Sequence, residues 1–192
     1  MIRLAVVGDI GSGKSYVAKQ FGYPVFNADD EVVKLYKKSR KCYSKLKKAL
    51  PSYITSFPVR KSKLSEAIME DEYNLKKIIK IVHLEVQSRM NNFIKKNRNK
   101  KIIVLDIPLL MENKINKKDD ILIFVDAKKK EIDKRLKKKP NFNLKIIKKF
   151  KELQLPIEFK KRQSNFVIKN NFRNNSVKKN VKQVLEKILQ NA

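Results

Sequence analysis

The sequence predicts a three-layer α/β fold: a central parallel sheet with helices on both faces and two helical inserts. Three observations predict it. Three of the four glycines in the chain, Gly8, Gly11 and Gly13, fall inside "GDIGSGKS". Short continuous apolar runs recur along the chain, and helical patterns separate them, as parallel strands joined by crossovers require. The segments 36–98 and 128–162 are lysine-rich, read as helical, and interrupt that alternation.

The elements follow in order. "IRLAVV" reads as a buried strand. Glycine is needed where a backbone takes positive φ or approaches something closely. The spacing G-x-x-x-x-G-K-S therefore reads as a phosphate loop, whose successive N–H groups cradle phosphate oxygens. In it Lys14 would reach the β/γ-phosphates and Ser15 would hold Mg²⁺. A tight turn with a coincidental Lys-Ser is the bland alternative. The strand before the loop, and Val17 and Phe21 on one face of a helix over 14–21 after it, argue against that. A short strand follows near 24–27, then the acidic pair Asp29 and Asp30. From about Glu31 to Arg98 the pattern is largely helical, with a break near Glu72. Strands are expected at about 101–106, 121–126 and 164–169, and a last amphipathic helix from Ser176, its N-cap, to Leu189. In such sheets ligands bind beyond the carboxyl ends of the strands, where the inserts would close.

Composition narrows the function classes. The chain has 192 residues, 42% of them apolar, enough for a sizeable core. No run approaches the roughly 20 apolar residues of a membrane span. The N-terminus reads straight into a strand, so no signal peptide is expected. The single cysteine, Cys42, cannot form an internal disulfide. A cytoplasmic protein in a reducing compartment, without a membrane partner, is expected. The formal charge of +28 raises the question of nucleic acid. Only eight of the 47 basic residues are Arg, leaving 39 Lys spread along the chain among many Asn and Ile. Bidentate recognition favours Arg. We read the lysines as a solvated coat produced by AT-rich coding, which steers phosphorylated ligands by long-range attraction. No specific nucleic-acid partner is expected. A monomer is expected, with an oligomer left open.

Five side chains could carry chemistry. Asp29, just past the second strand, could orient an acceptor hydroxyl and take its proton. Asp30 competes for that role, and both could simply cap the next helix. Asp106 ends the third strand, where a carboxylate helps hold Mg²⁺; a strand-end turn residue is the alternative. His83, the only histidine, sits among apolar neighbours, as a hydrogen-bonded core residue would. Arg135 could stabilise charge on a transferred phosphoryl group, or pair with Glu131 one turn before it.

Taken together, the motifs resemble the dephospho-coenzyme A kinase family. "VVGDIGSGKS" is similar to its phosphate loop and "FNADD" to its "DAD" segment. "IVHLEVQSRM" is similar to its "HP" helix, "VLDIPLLMEN" to its "DIPLLFE" signature, and "ELQLP" and "FVIKN" to its late motifs. The resemblance spans about residues 2–170, and the DIPLL-x-E block discriminates most. It implies a three-layer P-loop kinase fold and transfer of phosphate from ATP, with Mg²⁺, to the ribose 3′-hydroxyl of dephospho-CoA, the last step of CoA biosynthesis. It places Asp29 as the base, with Lys14 and Arg135 also catalytic. Gly8, Asp9, Ile10, Gly11, Ser12, Gly13, Lys14, Ser15 and Tyr16 fall on the nucleotide loop, and Asn170 falls near the adenine edge. His83, Asp106, Pro108, Leu109, Leu110 and Glu112 fall on the acceptor pocket, with Ser15 and Asp106 toward the metal. Residues 1–35, 99–127 and 163–192 then form the nucleotide-binding core. The insert 36–98 becomes the acceptor-binding domain and 128–162 the lid.

Several positions depart from the family pattern. Asp9 stands where a second glycine is usual, Asn27 for the first Asp of "DAD", and Leu84 for the Pro after the histidine. Lys61, beside Arg60, stands for an acceptor-binding Arg, and Lys138 or Lys139 for a second lid Arg. Ser164 and Asn165 replace "AD". Lysine supplies charge without a bidentate fork, so weaker transition-state binding is expected. Two other readings are a P-loop kinase for a nucleoside or nucleotide, and a basic nucleic-acid-binding NTPase. The first needs no DIPLL-x-E block; the second predicts clustered Arg or interleaved aromatics, which the sequence lacks.

Overall fold

A computed structural model describes residues 1–138 and 142–190. Five parallel strands form one sheet: β1 (Ile2–Gly8), β2 (Val25–Asn27), β3 (Ile102–Asp106), β4 (Ile121–Asp126) and β5 (Phe166–Lys169), in the order β2-β3-β1-β4-β5. β1 lies in the middle, with Val6 opposite Asp106 on one side and Ile123 on the other. Its continuous apolar run is explained by coverage on both faces. Leu4, Val6, Ile102, Val104, Ile123, Val125 and Ile168 pack with Val17 and Ala18 of α1 (Lys14–Gln20) and with Phe21, its C-cap. Val177, Val181, Val184 and Ile188 of α9 (Asn174–Gln190) complete that layer. The alternate strand residues Ala5, Val7, Ile103, Leu105 and Phe124 are buried as well. Between β4 and β5 lie α6 (Lys129–Lys137), α7 (Leu144–Glu152) and α8 (Ile157–Arg162), and α8 packs on β1.

The chain divides into two compact units, the sheet with its flanking helices and a helical unit of residues 28–96 with 144–149. The helical unit contains α2 (Ala28–Lys38), α3 (Arg40–Ala49), α4 (Lys61–Glu70) and α5 (Glu72–Lys96). α5 buries Leu75, Ile78, Val82, Val86 and Met90 at three- and four-residue spacing, and α2, α3 and α4 pack on it. The break expected near Glu72 falls at Asp71. Its backbone is extended, its carboxylate accepts from Tyr73 N at 2.8 Å, and Asn74 Nδ2 donates to Ala67 O at 3.0 Å. The last helix starts at Asn174, so Ser176 lies inside it and does not cap it. The asparagines before the helix make the turn: Asn170 Oδ1 accepts from Phe172 N, and Asn171 Oδ1 from Arg173 N. No described helix is long and apolar enough to cross a membrane.

Candidate active site

The turn from β1 into α1 is built by glycine. Gly13, the N-cap of α1, has φ 91°, and a Cβ there would collide with the Asn170 amide. At Gly8, φ 149°, a Cβ would stand 2.8 Å from Val125 O. No side chain caps α1, because its N-cap is a glycine. Lys14 is buried, with Nζ donating to Gly8 O at 3.2 Å and Asp9 O at 2.8 Å. Its ammonium is thereby held inside the loop. The Asp9 carboxylate accepts from Ile10 N at 2.6 Å and faces Lys151 Nζ of α7 at 3.5 Å. Ser12 is fully buried, and its hydroxyl has no hydrogen-bond partner among the described residues. Tyr16, half-buried, packs against the sheet core.

Ser15, Asn27 and Asp106 come together at the carboxyl ends of β2 and β3, where Asn27 and Asp106 are register partners. Asn27 Nδ2 lies 3.3 Å from Ser15 Oγ and 2.5 Å from Asp106 Oδ2. A hydroxyl and a carboxylate are the hard oxygen donors that suit Mg²⁺ completed by phosphate and water. The neutral amide between them holds the buried Asp106 carboxylate in place.

On the opposite side, Asn170 follows β5 and is 3% exposed. Its Nδ2 donates to Ser12 O at 2.8 Å, and its Oδ1 accepts from Phe172 N at 2.8 Å. Arg135 does not pair with Glu131. Its guanidinium lies 4.4 Å from the centroid of the Phe172 ring.

The DIPLL-x-E block and the later QLP segment form one contact. Glu112 Oε1 accepts from Leu155 N at 3.1 Å and from Lys160 Nζ at 3.1 Å, and Lys160 is 1% exposed. Gln154 Nε2 reaches Pro108 O at 3.5 Å. Leu110 is fully buried, while Pro108 and Leu109 are half-buried. Ser164 Oγ donates to Lys160 O, and Asn165 Oδ1 accepts from Leu122 N, so both replacements for "AD" have structural work.

In the helical unit, Asp29, Asp30 and Glu31 occupy the first turn of α2, where the helix dipole favours negative charge. Glu31 bonds Lys34 at 2.5 Å and Arg89 of α5 at 2.8 Å. Burial pushes its carboxyl up, but hydrogen bonds and charge from Lys34 and Arg89 outweigh burial and hold it below its ordinary value. His83 lies on α5, half-buried, and its Nε2 is buried without a hydrogen-bond partner among the described residues. Leu84 is 58% exposed. Lys61 opens α4 behind Arg60. Lys138 follows α6, and Lys139 lies outside the described residues.

Sequence reasoning did not single out Phe172, Lys151, Lys160 or Glu31. A lone aromatic and three more charges in so charged a chain carry no pattern. A phenylalanine directly after "KNN" was the one available hint.

Comparisons with known proteins give the family and the fold. The family model described as dephospho-CoA kinase matches residues 2–177. The dephospho-CoA kinase of Bartonella quintana (strain Toulouse) is 33% identical over 193 residues, covering 98% of each chain. That of Wolbachia sp. subsp. Brugia malayi is 30% identical over 190 residues, covering 96% of this chain and 97% of the relative. Among solved structures, dephospho-CoA kinase from Campylobacter jejuni superposes with a TM-score of 0.63 at 18% identity, covering 98% of each chain. The fold is that of the P-loop kinases. With a family model matching residues 2–177 and relatives 30% and 33% identical over nearly their whole length, the chain belongs to the dephospho-CoA kinase family.

Proposed function

We propose that this kinase moves the γ-phosphoryl group of ATP to the ribose 3′-hydroxyl of dephospho-CoA, giving CoA and ADP. The observation that carries the reading is the meeting of Ser15, Asn27 and Asp106 at the sheet's carboxyl edge, beside the loop that encloses Lys14. Lys14 exchanges its loop carbonyls for phosphate oxygens. Asp29 takes the proton of the 3′-hydroxyl as that oxygen forms its bond to the γ-phosphorus and the β–γ bridge bond breaks. Support for Asp29 is its place in the "NAD" segment, two residues after Asn27, in the negative-favouring first turn of α2. Arg135 offsets charge on the moving group. The nucleotide contacts are Gly8 to Tyr16 and Asn170; His83, Asp106, Pro108, Leu109, Leu110 and Glu112 serve the acceptor side. The buried Leu110, and Glu112 on Lys160, support a shaping role for that pair. Ser15 and Asp106 would hold Mg²⁺, which when bound draws charge from the transferred group. Residues 36–98 serve as the acceptor insert and 128–162 as the lid. The enzyme acts in the cytoplasm as a monomer, without specific nucleic acid or membrane partners.

The test is incubation of pure protein with Mg·ATP and dephospho-CoA. CoA is the expected product. ADP release with a nucleoside acceptor, and no CoA, would assign another kinase.

A further inference from the structure

We infer that Phe172 is a positioning residue that delivers the Arg135 guanidinium to the phosphate loop, and that its left-handed backbone exists for that purpose. The inference rests on the proposed role of Arg135. Phe172 has φ 60°. A bulky residue adopts that conformation only where its surroundings over-determine it, and such residues gather at functional sites.

The surroundings here are specific. Asn170, almost completely buried, accepts from Phe172 N with its Oδ1 and donates to Ser12 O of the loop with its Nδ2. One side chain therefore fixes both the strained turn and the phosphate loop. The Phe172 ring is held at the start of α1, with its Cε1 3.4 Å from where a Gly13 Cβ would stand. The guanidinium of Arg135 lies over that ring, 4.4 Å from its centroid, although Arg135 is on the exposed side of α6. The opposite wall of the loop is α6 itself, since a Gly11 Cβ would stand 3.0 Å from Leu136 Cδ2 and 3.1 Å from Ile132 Cγ2.

An exposed arginine on a helix samples many rotamers, and ordering it during the reaction costs rate. A ring face within cation–π distance orders it beforehand, and among the described residues no carboxylate pairs with its N–H groups. The absence of a Glu131–Arg135 pair fits: an ion pair would spend the charge that the ring face leaves available. Phe172 thus acts through Arg135 and touches no reacting atom.

The test compares the full-length enzyme with Phe172→Leu, Phe172→Tyr, Arg135→Ala and the Arg135→Ala/Phe172→Leu double variant. Phe172→Leu should lower kcat about two- to fivefold, the weight of one exposed cation–π contact, with KM for ATP unchanged. Phe172→Tyr, which keeps the ring face, should retain wild-type kcat. In the Arg135→Ala background, Phe172→Leu should have no further effect. The Arg135 Nε–H resonance should carry a ring-current shift that Phe172→Leu abolishes and Phe172→Tyr keeps. Additive losses in the double variant, a rise in KM alone, or a resonance indifferent to Phe172→Leu overturns the inference. Wild-type enzyme that makes no CoA overturns the proposed function instead, so the two failures are distinguishable.

Discussion

Lys14 is buried and donates to two loop carbonyls, so on the proposed function its removal takes away the cation that would face the phosphates. Lys14→Ala should cost roughly 10²-fold or more in kcat, read in the CoA-forming assay, the usual weight of such a clamp. Asp29→Asn should still bind ATP by calorimetry while losing nearly all transfer; near-normal turnover would remove Asp29 as the base. Asn27 supports a third prediction. Its amide donates to Asp106 at 2.5 Å, and a carboxylate in its place would face another carboxylate. Like charges so close destabilise each other. Asn27→Asp should therefore melt at a lower temperature than wild type without Mg²⁺ and recover when Mg²⁺ is added. An unchanged melting temperature without metal would remove Asn27 from the charge balance of the site.

At the scale of elements, α2 and α3 are both tied to α5 by carboxylates. Glu31 holds Lys34 and Arg89, and Glu85 of α5 holds Lys45 and Lys41 of α3. The hydrogen bond from Lys45 leads in lowering Glu85, with burial opposing and Lys41 adding. For Glu31 burial is the largest influence and opposes, and the two basic partners together win. Both carboxyls are lowered on folding, so their contribution is complete above their ordinary value of 4.5 and is lost as pH falls below it. The melting temperature should fall more steeply from about pH 5 to about pH 3 in wild type than in Glu31→Gln/Glu85→Gln. Parallel curves would place the acid sensitivity elsewhere. The helices themselves were legible in the sequence because apolar spacing on α5 is strong. The break at Asp71 came out within a residue. The start of α9 did not, because the turn there is made by two asparagine side chains rather than by the Ser176 hydroxyl.

At the scale of the whole molecule, we propose that the charge of +28 acts as a field rather than a site. Lysines that form a solvated coat attract polyanions without reading them. Affinity for mixed-sequence DNA should therefore fall by about 10³ or more between about 50 and 200 mM salt. A complex that survives moderate salt would give the coat a specific partner. The same salt should raise KM for ATP, because steering of a phosphorylated ligand is screened over about a Debye length.

The sequence by itself determined the layered α/β fold and the strand, glycine loop and helix that open it. Local patterns carry these features: apolar runs for buried strands, glycine spacing for a backbone nest, and motif order for the family. Only the tertiary structure decided what meets what. Asn27 joins Ser15 to Asp106 because β2 and β3 run in register. Glu112 closes on Lys160 across 48 positions, and Arg135 turns from Glu131 to a ring 37 positions further on. Such partners are set by packing between segments distant in the chain, and no spacing rule along one segment records it.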